Sequence, residues 1–314
     1  MTARHLKTQY GTITFPTFMP VTTFGGKYPL DELMRPYLRR LSICAMVSYY
    51  YAKNMKPAER PSMPLFIDSG GFASLFEGSR IVTNDNYAII ETKEGDAISP
   101  HDVLALQERH ADIGATLDFL VPPSVTPDEA VARQNWTIRN ALWALTHRKN
   151  QRLKLYASIQ AWDESSTKRI MSALVDHAFD GFALGGMVPR VKDPDTILSI
   201  VKVIREIDDH RPLHVFGIGQ PELMVRLFKA GVDSTDSSSF LRATAEKRFL
   251  APPLCNQHLL APNEADSGTC NCHACKKHDT KYFSLTGETN NLALALHNLA
   301  VSQAASHQNN RSLE

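Results

Sequence analysis

The sequence predicts an α/β fold, a (β/α)8 barrel, and two observations carry that prediction. Short apolar runs rich in β-branched and aromatic residues recur along the chain, continuous rather than alternating, as in strands buried on both faces of a parallel sheet. Helical patterns with recognisable start signals separate them, and about eight such units suit a closed barrel.

Taken in order, strands are expected near "TFMPVTTFG" (17–25), "LSICAMVSYYY" (41–51), "MPLFIDSGG" (63–71) and "LDFLVPP" (117–123). The remaining four are expected near "KLYASIQAW" (154–162), "GFALGGMV" (181–188), "LHVFGIGQ" (213–220) and "VDSTDSSSF" (232–240). Ser99-Pro100 with Asp102, and Thr126-Pro127 with Glu129, each read as an N-cap, a proline in the first turn and an acid at the third helical position. Asp193-Pro194 opens the amphipathic run "DTILSIVKVIREI". Two segments break the repeat. "SRIVTNDNYAIIETKEG" (79–95) alternates like a β-hairpin inserted after the third strand, and the stretch from Pro252 to His297 holds the cysteine cluster of an appended subdomain. The expected organisation is a barrel over 1–250, a zinc-binding subdomain over 251–301, and a polar, flexible tail over 302–314.

Composition narrows the class. Of 314 residues, 43% are hydrophobic and 21% charged, the balance of a soluble globular chain. A formal net charge of +1 gives no global basic field, so a nucleic-acid partner would be met by a local patch. Five cysteines, an odd number, argue against a disulfide scaffold. "MTARHLKTQYG" lacks an apolar signal region and no run of roughly 18 apolar residues occurs, so the expectation is a cytoplasmic protein without a membrane span.

Cys270, Cys272 and Cys275 have the spacing C-x-C-x2-C, which can wrap one soft cation. A tetrahedral structural site needs a fourth ligand, and His273, His278, Cys255, His258 and His297 are candidates. Four protein ligands leave no open position, so the cluster is expected to be structural. Lys276 and Lys277 beside it could face a phosphate backbone, or simply be solvated.

In a (β/α)8 barrel the chemistry sits at the carboxyl ends of the strands. The sequence places there Asp68-Ser69-Gly70-Gly71, Asp118, Gln160, Gly185-Gly186, Gly217-Ile218-Gly219, and Asp233 with Asp236. Two acids facing one pocket could attack an anomeric carbon and protonate the departing group. Spacing alone does not pair Asp68 with Asp236.

Six motifs in order resemble the tRNA-guanine transglycosylase superfamily over nearly the whole chain: "DSGGF", "SIQAW", "GFALGGM", "HVFGIGQP", "GVDSTDSSSF", and "CNCHAC" followed by "HNL". The resemblance implies a zinc-bearing (β/α)8 barrel that exchanges a guanine in nucleic acid for a free 7-deazaguanine base. It implies Asp236 as nucleophile on C1′ and Asp68 as general acid and base. It implies Asp118 and Gln160 on the base edge, with Ser69, Gly70, Gly71 and the stretch Gly181, Phe182, Ala183, Leu184, Gly185 completing the base site. Phe72 and Phe216 match positions that sandwich the ring. One structural Zn2+ is implied on Cys270, Cys272, Cys275 and His297.

The chain departs from the family pattern at named positions. Ala73 follows "DSGGF" where glutamine is usual, and Gly186 stands where queuosine-type enzymes carry a glutamate. Losing that counter-charge favours a neutral nitrile base such as preQ0 over an amine-bearing one. The step from Cys275 to His297 is 297 − 275 = 22 residues, tighter than the bacterial pattern. Nothing after the cysteine cluster resembles the extra RNA-binding modules of archaeal members. A DNA-modifying branch of the superfamily inserts preQ0 into DNA, so tRNA and DNA both stand as polymers. A non-catalytic subunit on the same fold is the reading from another class, opposed by the presence of both Asp68 and Asp236. A barrel hydrolase using the same acids is a third, opposed by Gln160 and the glycine-rich strand. A homodimer or an accessory subunit is left open.

Overall fold

The computed structural model describes residues 4–23, 28–250, 259–260 and 270–307. Eight parallel strands form one sheet: β1 (Thr17–Pro20), β2 (Ala45–Val47), β3 (Leu65–Ile67), β4 (Ile113–Ala115), β5 (Lys154–Gln160), β6 (Gly181–Gly185), β7 (Leu213–Val215) and β8 (Ser234–Ser237). Each pairs with its neighbour in chain order, and β8 returns to β1 with Asp236 opposite Met19. A parallel bridge from Val21 to Met46, backed by Thr22 N–H donating to the Met46 carbonyl at 2.9 Å, joins β1 to β2 and closes the barrel. The predicted fold class is the observed one.

One strand is displaced from its expected place. The fourth is Ile113–Ala115; "LDFLVPP" follows it as irregular chain. Leu117, Phe119 and Val121 are nonetheless buried. Periodicity alone does not distinguish a buried crossing from a buried strand.

The register sorts the side chains. Met46, Phe66, Ile113, Tyr156, Ala183 and Met19 form one buried cluster, and the pairs Met46↔Phe66, Ala115↔Tyr156, Ala183↔His214 and His214↔Ser234 put them on the same face. Val47, Ile67, Leu155, Phe182, Leu184, Leu213 and Val215 belong to the larger cluster beneath the helices. Strand side chains alternate with period two. Stepping two residues up the inward face therefore leads from Phe66 to Asp68, from Tyr156 to Ser158 and Gln160, from Ala183 to Gly185, from His214 to Phe216, and from Ser234 to Asp236. The barrel interior is apolar at its amino end and polar at its carboxyl mouth.

An N-terminal hairpin absent from the sequence reading, His5–Thr8 paired with Gly11–Thr14, leads into β1. Its Ile13 and the following Phe15 join the inner cluster and close the amino end. Asp233, expected beside Asp236, lies at this opposite end. Arg4 and Arg205 hold it, with Arg4 Nη1 at 2.6 Å, and it accepts from Leu213 N–H at 2.8 Å. It is a structural ion-pair centre and not part of the mouth.

The insertion after the third strand is a three-stranded antiparallel sheet, Arg80–Thr83, Ala88–Glu91 and Ala97–Ile98, one strand more than the expected hairpin. The three predicted helix starts are observed: Ser99, Thr126 and Asp193 accept from Asp102, Glu129 and Thr196 N–H groups.

The last helix runs from Glu288 to His307, through the region from Ser302 where fraying was expected. Its polar residues are satisfied internally: Ser302 and Ser306 hydroxyls donate to the Asn298 and Gln303 carbonyls. Gln303 Nε2 donates to the Phe18 carbonyl at 3.0 Å and to Ser42 Oγ at 2.9 Å. Small side chains let the helix lie against β1, and Leu299, Val301 and Ala305 enter the main core. Among the described residues no helix is long and apolar enough to cross a membrane.

Candidate active site and metal centre

Asp68 follows β3 directly. Its Oδ1 accepts from Tyr49 N–H at 2.6 Å and Gly70 N–H at 3.0 Å. Burial pushes its carboxyl up to about 6; the two N–H donors oppose that shift, and the charge of Asp236 adds to it. Asp68, after β3, and Asp236, in β8, both stand at the carboxyl end of the barrel.

Asp236 is held from one side. Gly217 N–H donates to Oδ1 at 2.8 Å, and His214 Nε2 lies 3.1 Å from the same oxygen. A carboxylate can only accept, so Nε2 carries the proton. His214 Nδ1 lies 2.9 Å from Ser234 Oγ, which completes a buried Ser234–His214–Asp236 chain inside the barrel. No donor among the described residues reaches Oδ2, which leaves that oxygen free to act. The sequence reading missed His214 and Ser234. Their signal was positional, two residues below Phe216 and Asp236 on the inward face.

A second array stands beside the acids. Asp118, 2% exposed, accepts from Ser69 Oγ at Oδ1 and from Gln160 Nε2 at Oδ2. Gln160 Oε1 in turn accepts from Val121 N–H at 3.3 Å. Burial raises the Asp118 carboxyl against the pull of those two donors. The approach is so close that side chains are excluded around it. A Cβ on Gly71 would lie 2.0 Å from Asp118 Oδ1, and one on Gly185 would lie 2.2 Å from Gln160 Nε2. These glycines exist to let the array form.

The expected base-binding stretch divides. Gly185 is at the mouth beside Gln160. Gly181, Phe182, Ala183 and Leu184 lie lower, inside the ladder between β5 and β7. The Leu184 carbonyl accepts from Phe216 N–H at 3.0 Å, and Phe182 N–H donates to the Pro212 carbonyl at 2.9 Å. Phe216 is partly buried against Phe66 and His214, and Phe72 is 62% exposed on the opposite loop. Ala73 is buried. Arg190, unremarked in the sequence, donates to the Gly186 carbonyl at 2.6 Å and the Val121 carbonyl at 3.2 Å.

Cys270, Cys272, Cys275 and His297 gather with all ligand atoms within 4.8 Å of one another. His297 Nδ1 lies 3.6, 3.5 and 3.2 Å from the three sulfurs. Ideal zinc bond lengths in a tetrahedron separate nitrogen and sulfur by about 3.6 Å, so the set fits such a cation. His297 Nε2 donates to the Leu250 carbonyl at 3.0 Å, which turns the Nδ1 lone pair toward the thiolates. Phe249 stacks on the imidazole at 3.6 Å between ring centres. The next residue, Asn298, accepts from Leu250 N–H at 2.8 Å and donates to the Arg248 carbonyl at 3.0 Å. Of the other candidate ligands, His273 lies outside the group, and His278 stacks on Tyr282. Cys255 and His258 lie outside the described residues. Lys276 and Lys277 are exposed.

A closed parallel barrel that carries two carboxyls and an amide–carboxyl array at its carboxyl mouth defines the class as an α/β barrel with a polar, acidic mouth. The chain belongs to the queuine tRNA-ribosyltransferase family, whose model matches residues 3–312. It is 23% identical over 304 residues to the tRNA-guanine(15) transglycosylase of Methanothermobacter thermautotrophicus, covering 95% of this chain and 44% of that protein. It is 25% identical over 334 residues to the queuine tRNA-ribosyltransferase of Thermosipho africanus, covering 97% and 90%. The chain thus spans less than half of the Methanothermobacter relative and most of the Thermosipho one.

The raised Asp68 carboxyl has a stability consequence. A carboxyl whose folded value lies near 6 binds its proton more tightly folded than unfolded, so ionisation opposes folding. Stability from this group falls as pH rises from about 4 to about 6, and the whole cost is present above that. Asp68→Asn is therefore expected to melt higher than the parent at pH 8 and to lose that advantage near pH 4. Thermal denaturation across pH checks it; an advantage independent of pH would contradict the assignment.

Proposed function

We propose that the protein is a guanine transglycosylase that exchanges a guanine in nucleic acid for a 7-deazaguanine such as preQ0. The observation that supports the reading is that Asp68 and Asp236 stand at the carboxyl ends of two strands of one closed barrel. Asp236 Oδ2 attacks C1′ of the target nucleoside; the C1′–N9 bond breaks, and its electron pair leaves with guanine. Protonated Asp68 gives its proton to the departing base. A covalent glycosyl-aspartate remains. The incoming base then loses its N9 proton to Asp68 and attacks C1′, and Asp236 departs as carboxylate. Two displacements retain configuration at C1′.

Asp118, Gln160 and Ser69 read the polar edge of the base, Gly70, Gly71 and Gly185 admit it, and Phe72 and Phe216 cover its faces. Specificity for a neutral base is supported at Gly186, which supplies no carboxylate to pair a cationic aminomethyl group, and whose carbonyl is held by Arg190 at 2.6 Å. The cysteine–histidine set holds one structural zinc ion and pins the strand Phe249–Leu250 to the last helix. With four protein ligands it has no open position for chemistry.

The names of the relatives favour tRNA as polymer, and DNA is the competing substrate. Incorporation of labelled preQ0 with release of guanine, measured in parallel on bulk tRNA and duplex DNA, tests both. Incorporation into tRNA is expected. Incorporation into DNA alone would move the assignment to the DNA branch, and none on either polymer, with binding retained, would identify a non-catalytic subunit.

A further inference from the structure

A row of aromatic rings leads away from the mouth on the segments that follow β1, β2 and β3. Phe72 meets Phe76 at 5.8 Å between ring centres, Phe76 meets Tyr50 at 6.4 Å, Tyr50 meets Tyr51 at 5.4 Å, and Tyr51 meets Tyr28 at 6.1 Å. Every contact is edge-to-face, with interplanar angles of 80° to 87°. Such packing fixes each ring against its neighbour. Phe72, Phe76, Tyr50 and Tyr28 are 62%, 41%, 42% and 42% exposed, an unusual concentration for large apolar side chains. The row starts where the catalytic loop ends: Tyr49, next to Tyr50, donates to Asp68, and Phe72 follows Gly71.

We propose that this row is a stacking track for the unpaired nucleotides that flank the target guanine. The proposal rests on the base-exchange reading, since a polymer whose target base is drawn into the barrel must unstack the neighbours of that base. Unstacked bases regain stacking on protein rings without regard to sequence, and such tracks combine rings with positive charge. Lys53 supplies the charge: its Nζ lies 4.9 Å from the Tyr50 ring centre and pairs with an exposed Asp96 carboxylate at 2.9 Å. A pair this open to solvent is weak, so the ammonium can exchange Asp96 for a phosphate. The free 7-deazaguanine, which has no flanking nucleotides, would touch Phe72 alone and not the rings beyond it.

The test is binding of short single-stranded RNA and DNA oligonucleotides with one central guanine, by fluorescence anisotropy, to the parent, Tyr50→Ala, Phe76→Ala and the double variant. Each alanine is expected to weaken oligonucleotide binding roughly five- to a hundredfold, to raise KM for the polymer, and to leave KM for the free base unchanged. Phe76→Trp and Tyr50→Phe should retain binding, because any flat ring serves. Both positions are surface-exposed, and thermal denaturation confirms that the variants fold. Ring-dependent oligonucleotide binding without base exchange would leave the track standing and remove the enzyme assignment. Unchanged binding in the double variant would overturn the track, and altered self-association without altered oligonucleotide binding would assign the rings to a contact between copies of the chain.

Discussion

Asp236→Asn is expected to abolish base exchange, with a loss on the order of 10^4-fold or more, the scale seen when a covalent nucleophile is removed. The substitution is nearly isosteric. The amide oxygen can still accept from Gly217 N–H and His214 Nε2, so the geometry around the side chain is preserved. What changes is Oδ2, the oxygen that no donor among the described residues engages. An amide nitrogen there cannot attack C1′. The denaturation-resistant adduct with nucleic acid should disappear from gels while oligonucleotide binding persists. An adduct that survives in Asp236→Asn would remove this residue as nucleophile.

The second large effect is on stability. Cys272→Ser, or exhaustive chelation, is expected to lower stability by several kcal/mol and Tm by roughly 10 °C or more, because metal binding and folding are coupled. The cost falls on the barrel as well as the cluster. His297 and Asn298 together tie the Phe249–Leu250 strand to the last helix, and that helix carries Leu299, Val301 and Ala305 into the main core. Exchange activity per folded molecule should be nearly unchanged, since four protein ligands leave the metal no open position for chemistry. Differential scanning calorimetry with metal analysis checks both halves. A Cys272→Ser protein that was fully folded and metal-free at the parental Tm would refute a structural metal.

The residues of the mouth were legible because strand geometry is simple. Asp68, Gln160 and Gly185 end apolar runs, Asp236 lies in the polar strand Ser234–Ser237, and period two sends all four inward with the floor residues beneath them. The partners that tune them were hidden. His214 looks in sequence like one polar residue in an apolar strand, and only the register with Ser234 and Asp236 makes it part of a chain. The fourth strand eluded periodicity because Gly114 contributes no side chain; a Cβ there would lie 2.5 Å from the Gln107 side chain. "LDFLVPP", apolar and adjacent, gave the stronger signal. The N-terminal hairpin is too short and polar to announce itself, with only Ile13 of its second strand buried. The end of the last helix misled by composition: serine and glutamine read as solvated tail, yet here they satisfy buried backbone groups at a close helix–strand contact.

In the proposed reaction one carboxylate, in β8, becomes covalently bonded to the sugar while the other, after β3, moves the proton. Trapping the protein–nucleic acid adduct under denaturing conditions, digesting both components and locating the ribosyl group by peptide mass spectrometry tests this. The group is expected on the peptide containing Ser234–Ser237, at Asp236. A sugar found on Asp68, or base exchange proceeding with no adduct in single-turnover experiments, would contradict it.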